Sequence, residues 1–257
     1  RKDHHGSSPR SKRHLEQFLA DESALAVISG LHSPPLLAHK EFINEQGILV
    51  LDPWAAAGPI TRSSSPQNWI FRLSVDDTKA GQVIVRHALE TQGFQRPFLL
   101  LENTGWGKSN ERTMNAALKA AGVTAAGVAW FNWNLNTPTA RALIREVADS
   151  SADVIFLVAN AAEAQMLIEQ MIELDLPLPI DSHWGITGGN FADVIDASLR
   201  QRIQLSFIQT RFSFISHPED PLGKRVLHQA KELFPGQIRD ATDIEAPTGF
   251  IHAYDLM

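Results

Sequence analysis

The sequence predicts an α/β protein built on parallel sheets, and three observations carry that prediction. Short apolar runs, each too brief for a helix, recur at intervals of roughly 20–30 residues along the chain. Segments with helical spacing of apolar residues lie between most of them, the alternation of βαβ units. Within the runs, consecutive rather than alternate positions are apolar, the pattern of strands buried on both faces.

The candidate strands are Ala24–Ser29, Gly47–Asp52, Trp69–Leu73, Phe98–Glu102, Val123–Trp130, Asp153–Val158, Leu178–Asp181 and Arg202–Gln209. Ahead of the first, a helix running to Ala20 presents Arg10, Lys12 and Arg13 as a solvated face. After it, Pro34-Pro35 opens a helix, because a proline there gives up only an N–H that would be unpaired anyway. Ser33 is the expected N-cap, and His32 and His39 fall in or beside the start of that helix. In Trp106–Gly122, Met114, Ala117, Leu118 and Ala121 follow the i, i+3, i+4, i+7 pattern, with Gly122 placed for the C-cap. In Ala161–Leu174, Ala164, Leu167, Ile168, Met171 and Ile172 form a second apolar stripe.

At 257 residues the chain has room for one large domain or two modest ones. Its 23 Lys+Arg against 29 Asp+Glu give a net charge of −6, so no nucleic-acid partner is expected of it. The absence of cysteine excludes a disulfide scaffold, a thiolate metal site and a cysteine nucleophile. No apolar run reaches the ~18 residues of a membrane-spanning helix. The chain opens Arg1-Lys2-Asp3-His4-His5 with no signal peptide and ends Tyr254-Asp255-Leu256-Met257, the expectation for a fragment.

Catalytic motifs fail on inspection. Gly105-Trp106-Gly107-Lys108-Ser109 follows a strand and opens a helix as a phosphate loop would, but Glu102 occupies the position of the loop's first glycine. A carboxylate there repels phosphate. The run Asp153–Asn160 ends in asparagine rather than a magnesium-binding aspartate. There is no G-x-S-x-G elbow, and the adjacent His32 and Ser33 do not make a dyad. Ten histidines include no H-E-x-x-H pair, so no metal, no cofactor and no enzymatic activity are expected.

What remains is a set of loops at the carboxyl ends of strands, where open α/β sheets bind ligands. The Ser33 hydroxyl and the first-turn N–H groups beside it suit a carboxylate, although a cap alone explains the serine equally well. Small residues in Pro53-Trp54-Ala55-Ala56-Ala57-Gly58-Pro59 open the backbone to close approach. Trp54, Trp106 and Trp184 each follow a strand, as in an aromatic-lined pocket.

Five segments, in order, carry a resemblance: Ala26–Ser33, Gly47–Pro59, Phe71–Asp77 with Gly81, Glu102–Gly107, and Ala152–Val158. Together they resemble the type I periplasmic solute-binding proteins of the branched-chain amino-acid and amide-binding kind. The resemblance implies two lobes, each a parallel sheet with helices on both faces, closing by hinge motion on a small molecule in the cleft. Lobe I would hold residues 1–76 and 210–257, and lobe II residues 77–209. The family's first strand and helix would precede Arg1, and its last lobe-crossing segments would follow Met257.

Position by position, the resemblance puts Ser33 at the ligand carboxylate and Ala55, Ala56 and Ala57 on its companion backbone loop. It makes Asp77 a polar residue at the crossover, Trp106 an aromatic cover and Asn160 a second contact. Amino-acid binders of this family place an acid in the loop that here reads Ser182-His183-Trp184-Gly185, and this chain has His183 and Trp184 instead. Either Asp77 serves the ligand ammonium alone, or the ligand is an aromatic or aliphatic carboxylate without one. The implied role is an extracytoplasmic receptor, periplasmic or extracellular and membrane-associated, whose partner is the membrane permease of an ABC importer. The same fold as the ligand-sensing domain of a membrane signalling protein is the alternative, and an α/β enzyme with an unrecognised site is a third reading.

Overall fold

The computed structural model describes residues 2–188, 191–209, 214, 217–244 and 247–256. The chain divides into two compact units, Arg1–Asp76 with Thr210–Met257, and Asp77–Gln209. Thr210, the expected point of return to lobe I, lies outside the described residues.

The first unit begins with α1 (Ser8–Leu19), capped by Ser7, whose hydroxyl accepts from the Arg10 N–H. Three parallel strands follow, β1 (Val27–Ile28), β2 (Val50–Asp52) and β3 (Ile70–Arg72), hydrogen-bonded in that order. Between β1 and β2 runs α2 (Ser33–Gln46), closed by Gly47 at φ 66°, a left-handed conformation that glycine adopts without penalty. Helices α1 and α2 pack together.

The expected burial of these strands on both faces is corrected. Val50 and Ile70, in register with Val27, are fully buried. The neighbouring row, Ile28, Leu51 and Phe71, lies on the opposite face by the two-residue period of a strand. There Ile28 is 45% and Phe71 50% exposed.

The second unit opens with α3 (Asp77–Arg86), which runs into a π-helical turn, His87–Thr91. Next come β4 (Pro97–Glu102), α4 (Gly105–Ala120), β5 (Gly127–Phe131), α5 (Thr137–Asp149), β6 (Val154–Val158), α6 (Ala161–Glu173) and β7 (Ile180–Ser182). Two single-turn helices, α7 (Phe191–Val194) and α8 (Ala197–Arg200), precede β8 (Leu205–Phe207). The sheet is wholly parallel, in the order β5-β4-β6-β7-β8. Every residue of β4 and β6 is buried, because central strands of a parallel sheet are covered on both faces. The core gathers Phe98, Leu100 and Leu157 from these strands with Ile144, Leu167 and Ile168 from the helices. The chain steps from β4 to β5 on one side and returns to β6 on the other, so the strand order reverses between β4 and β6. The chain then re-enters the first unit with α9 (Pro221–Leu233) and α10 (Pro247–Leu256), which share a small core of Val226, Ile244 and Ile251.

The architecture is therefore α/β, two units with parallel sheets flanked by helices. Several strands are shorter than the apolar runs that announced them. Val123–Trp130 becomes Gly127–Phe131, because pairing begins only where Gly127 meets Phe98. Arg202–Gln209 shrinks to Leu205–Phe207 and Ala24–Ser29 to Val27–Ile28 for the same reason, a single neighbouring strand of limited length. The expectation of a fragment stripped of its terminal elements is also corrected. Helix α1 precedes β1 and packs on α2, and at the other end α10 packs on β2.

Candidate functional site

In the first unit the loops after β1 and β2 are held by one buried acid. Asp52 closes β2 with no exposure, and its Oδ1 accepts from the Trp54 N–H at 3.2 Å, the Ala55 N–H at 2.9 Å and the Ser29 hydroxyl at 3.0 Å. Burial pushes this carboxyl up to about 6, against those donors and the nearby Arg72 cation, which favour the charged form. The Arg72 guanidinium grips the same loop from its carbonyl side, donating to Ala57 O at 2.9 Å and Ala55 O at 3.3 Å. It also lies 3.3 Å from Asp76, which Arg62 holds at 2.6 Å.

The structure brings Ser33 and Ala57 together, the Ala57 N–H donating to Ser33 Oγ at 3.2 Å. Ser33 is the first residue of α2 rather than its cap, which corrects the expected N-cap: His32 holds that position and makes no side-chain cap bond. Pro34 and Pro35 leave the next two positions without an N–H, and the serine oxygen accepts from a neighbouring loop instead. As that oxygen accepts from Ala57, its own proton is left to donate to an anion. Ala55, Ala56 and Ala57 are all buried. Trp54 is buried against Gly249 of α10, where any side chain would strike its ring, and its loop is tied to α10 by His252 at 2.9 Å from the Pro53 carbonyl oxygen.

In the second unit Asp77 starts α3 and is wholly buried. Its Oδ1 accepts from Asn110 Nδ2 at 2.9 Å and Trp106 Nε1 at 3.2 Å, and His183 Nε2 lies 3.1 Å away. The Gly185 N–H donates to His183 Nδ1, which assigns the imidazole proton to Nε2, facing Asp77. The Trp106 ring meets the His183 ring edge-on at 5.2 Å between centroids, and Trp184 lies over His183 at 3.8 Å. Gly185 touches the Trp106 ring so closely that a Cβ there would collide with it, and it also lies near the Ala159 carbonyl oxygen. Four of the predicted residues, Asp77, Trp106, His183 and Trp184, thus form one buried cluster.

Asn160 joins a different group. It is the N-cap of α6 but makes no cap bond; its amide donates instead to Glu102 Oε2 at 2.8 Å. Glu102, the last residue of β4, is 1% exposed and takes the Thr104 hydroxyl on Oε1 at 3.0 Å, and the Trp133 indole favours its charged form. Burial, reinforced by the Glu163 carboxylate, pushes Glu102 up to about 7 against these donors. Asp181 on β7 is buried too and raised to about 6 by desolvation, with His87 and Gln92 acting in the opposite sense.

Sequence reasoning missed Asp52, Arg72, Glu102 and Asn110 as organising residues. A signal existed for two of them, since an acid that closes an otherwise apolar strand is a buried acid awaiting partners. Asn110 sits one helical turn beyond Trp106, where it also bonds the Trp106 carbonyl oxygen. Among the described residues, no group of three or more His, Asp or Glu side chains is placed to hold a metal ion, and no helix is long and apolar enough to cross a membrane.

The sequence matches the family described as periplasmic binding protein over residues 1–197, and the chain belongs to that family. No curated protein matches. Among solved structures, the chain is similar to the leucine binding protein LivK of Thermotoga maritima, at 15% identity and TM-score 0.77, covering 98% of this chain and 68% of that one. It is similar to the branched-chain amino acid binding protein LivJ of Streptococcus pneumoniae in complex with isoleucine, at 17% identity and TM-score 0.79, covering 99% and 68%. It is also similar to an ABC-transporter solute binding protein of R. palustris in complex with benzoate, at 15% identity and TM-score 0.78, covering 98% and 65%. At these identities the likeness is one of fold.

Proposed function

We propose that this protein is an extracytoplasmic solute-binding receptor delivering to the membrane permease of an ABC importer, and that its solute is a compact aromatic or aliphatic carboxylate without an α-ammonium group. Family membership supports the receptor role. The commitment of Asp77 carries the choice of solute. Its Oδ1 is engaged by Trp106 and Asn110 with His183 beside it, and Asp77 itself has no solvent exposure, so an ammonium would reach its remaining oxygen only by entering this buried cluster. Glu102 is engaged in the same way, and the loop at 183–185 carries no acid. An ammonium buried without a carboxylate costs several kcal/mol, which a ligand lacking that group avoids.

The carboxylate falls to the first unit. Ser33 keeps a hydroxyl proton to donate, and Asp52 and Arg72 hold the backbone beside it in a fixed form.

Isothermal titration of the protein with benzoate, 4-hydroxybenzoate, leucine and isoleucine tests the reading. Binding of a benzoate without binding of either amino acid is the expected result. Ser33→Ala should then weaken benzoate by about 1–3 kcal/mol, the worth of a hydrogen bond to a charged group. Binding of leucine or isoleucine in preference to the benzoates overturns the choice of solute, and an unchanged affinity in Ser33→Ala removes that serine from the site.

A further inference from the structure

We propose that Glu102 is the positioning residue of the second unit: its one buried carboxyl holds the loops after β4 and β6 as a single body and so fixes Trp106 and the first turn of α6 for the solute. The inference rests on the reading of this chain as a solute receptor, and its geometry stands independently of which solute is bound.

Glu102 sits where the strand order reverses, the place at which loops diverge to opposite sides of a parallel sheet. Nothing in the backbone ladder ties such loops to each other beyond the ends of the strands. The carboxyl supplies that tie. Oε1 takes the hydroxyl of Thr104, and Thr104 Oγ1 in turn accepts from the Gly107 N–H as the cap of α4, the helix that carries Trp106. Oε2 takes the amide of Asn160, which gives up capping α6 to make this bond. The Trp133 indole, two residues past β5, favours the charged form of the same group. The ends of β4 and β6 thus meet on one side chain.

The backbone packs to match. A side chain at Gly107 would drive into the carbonyl oxygen of Glu102, so the first turn of α4 lies directly on the end of β4. Glu163, in the first turn of α6, is the charged group that acts on the carboxyl, and it disfavours the ionised form. A buried acid with a like charge nearby is costly to keep. Its return is geometric: two acceptor oxygens fixed in one plane set the distance between two donors on different loops. Glutamine retains one of these acceptors and offers an amide that the Thr104 hydroxyl can accept, whereas alanine removes both links.

Hydrogen exchange on the full chain tests the proposal without any ligand. Glu102→Ala is expected to lose protection together at residues 103–108 and 161–165, and Glu102→Gln to restore both. Loss confined to one of the two segments, or no restoration by glutamine, overturns it. If Glu102→Ala does not fold, Asn160→Ala cuts a single limb, and loss of protection at 103–108 on the other limb is then the required result. Titration with 4-hydroxybenzoate should show about a tenfold loss of affinity in Glu102→Ala and recovery in Glu102→Gln. If the wild-type protein binds none of the carboxylates, the functional reading fails while the exchange result still decides the role of Glu102.

Discussion

Replacing Asp77 with alanine separates a structural acid from a ligand-binding one. Two donors converge on its Oδ1, Asn110 at 2.9 Å and Trp106 at 3.2 Å, and His183 Nε2 lies 3.1 Å away. All belong to buried residues, so no water takes the place of the lost acceptor without opening the cluster. A stranded buried donor costs about 1–3 kcal/mol, and neighbouring losses add incompletely, so the variant should lose about 4 kcal/mol. That is a large share of the roughly 5–15 kcal/mol by which a domain is stable, and a fall in melting temperature on the order of 10 °C. Asp77→Asn keeps the accepting oxygen and changes only Oδ2, which has no hydrogen-bond partner among the described residues. Its cost should be about 1–2 kcal/mol, because the bonds from Asn110 and Trp106 then end on a neutral rather than an ionised acceptor. Urea unfolding followed by circular dichroism, with all three proteins at one pH, measures the difference. An alanine variant that loses less than about 1 kcal/mol, together with leucine binding that disappears in it, would refute the assignment and return Asp77 to the ligand.

Stability should fall as pH rises through neutrality. Glu102, Asp52 and Asp181 hold their protons more tightly in the folded chain than in the unfolded one, so the folded state is favoured below the unfolded carboxyl range and loses that advantage as pH passes about 6 to 7. For Glu102, a move from 4.5 to about 7 is worth about 3 kcal/mol between the two limits. Urea midpoints at pH 5 and pH 8 measure it, Glu102→Gln should flatten the dependence, and a stability that climbs with pH contradicts the burial argument. Arg72→Ala should cost about 2–3 kcal/mol through the freed carbonyls of Ala55 and Ala57. Arg72→Lys should recover less than half of that, because one ammonium cannot span both carbonyls and Asp76; full recovery in the same unfolding assay would show the guanidinium fork to be irrelevant.

The elements that the sequence announced best are those whose signal is local and whose burial is complete. Phe98–Glu102 and Asp153–Val158 read as buried strands and form β4 and β6, buried at every residue. The stripe from Ala164 to Ile172 reads as a helix and forms α6, and Gly47 and Gly122 sit at helix ends with φ of 66° and 72°. The strand lengths were less legible, since an apolar run ends where its residues change and a strand ends where its partner does. Ile28 and Phe71 show the same limit, being apolar in sequence yet exposed on the open face of a three-stranded sheet.

Among the candidate site residues, adjacency to a strand end was legible and partnership was not. Trp54, Trp106 and Trp184 looked alike in sequence, each just past a strand. The structure sends Trp54 under α10 and gathers the other two around His183 and Asp77. Asp77 lies 29 residues from Trp106 in the chain, and Glu102 lies 58 from Asn160.

The sequence by itself determined the α/β alternation, the central strands, the helix stripes and the lack of any catalytic motif, because periodicity and turn chemistry act over a few residues. Only the tertiary structure decided which acids are spoken for. Ser33 binds Ala57, Asp52 holds Ser29 and the loop of Trp54, and Glu102 joins Thr104 to Asn160 because parallel strands laid out as β1-β2-β3 and β5-β4-β6-β7-β8 bring those ends side by side. Strand order is a property of how distant apolar faces pack, and a buried polar group takes whatever partner that packing sets within about 3 Å of it.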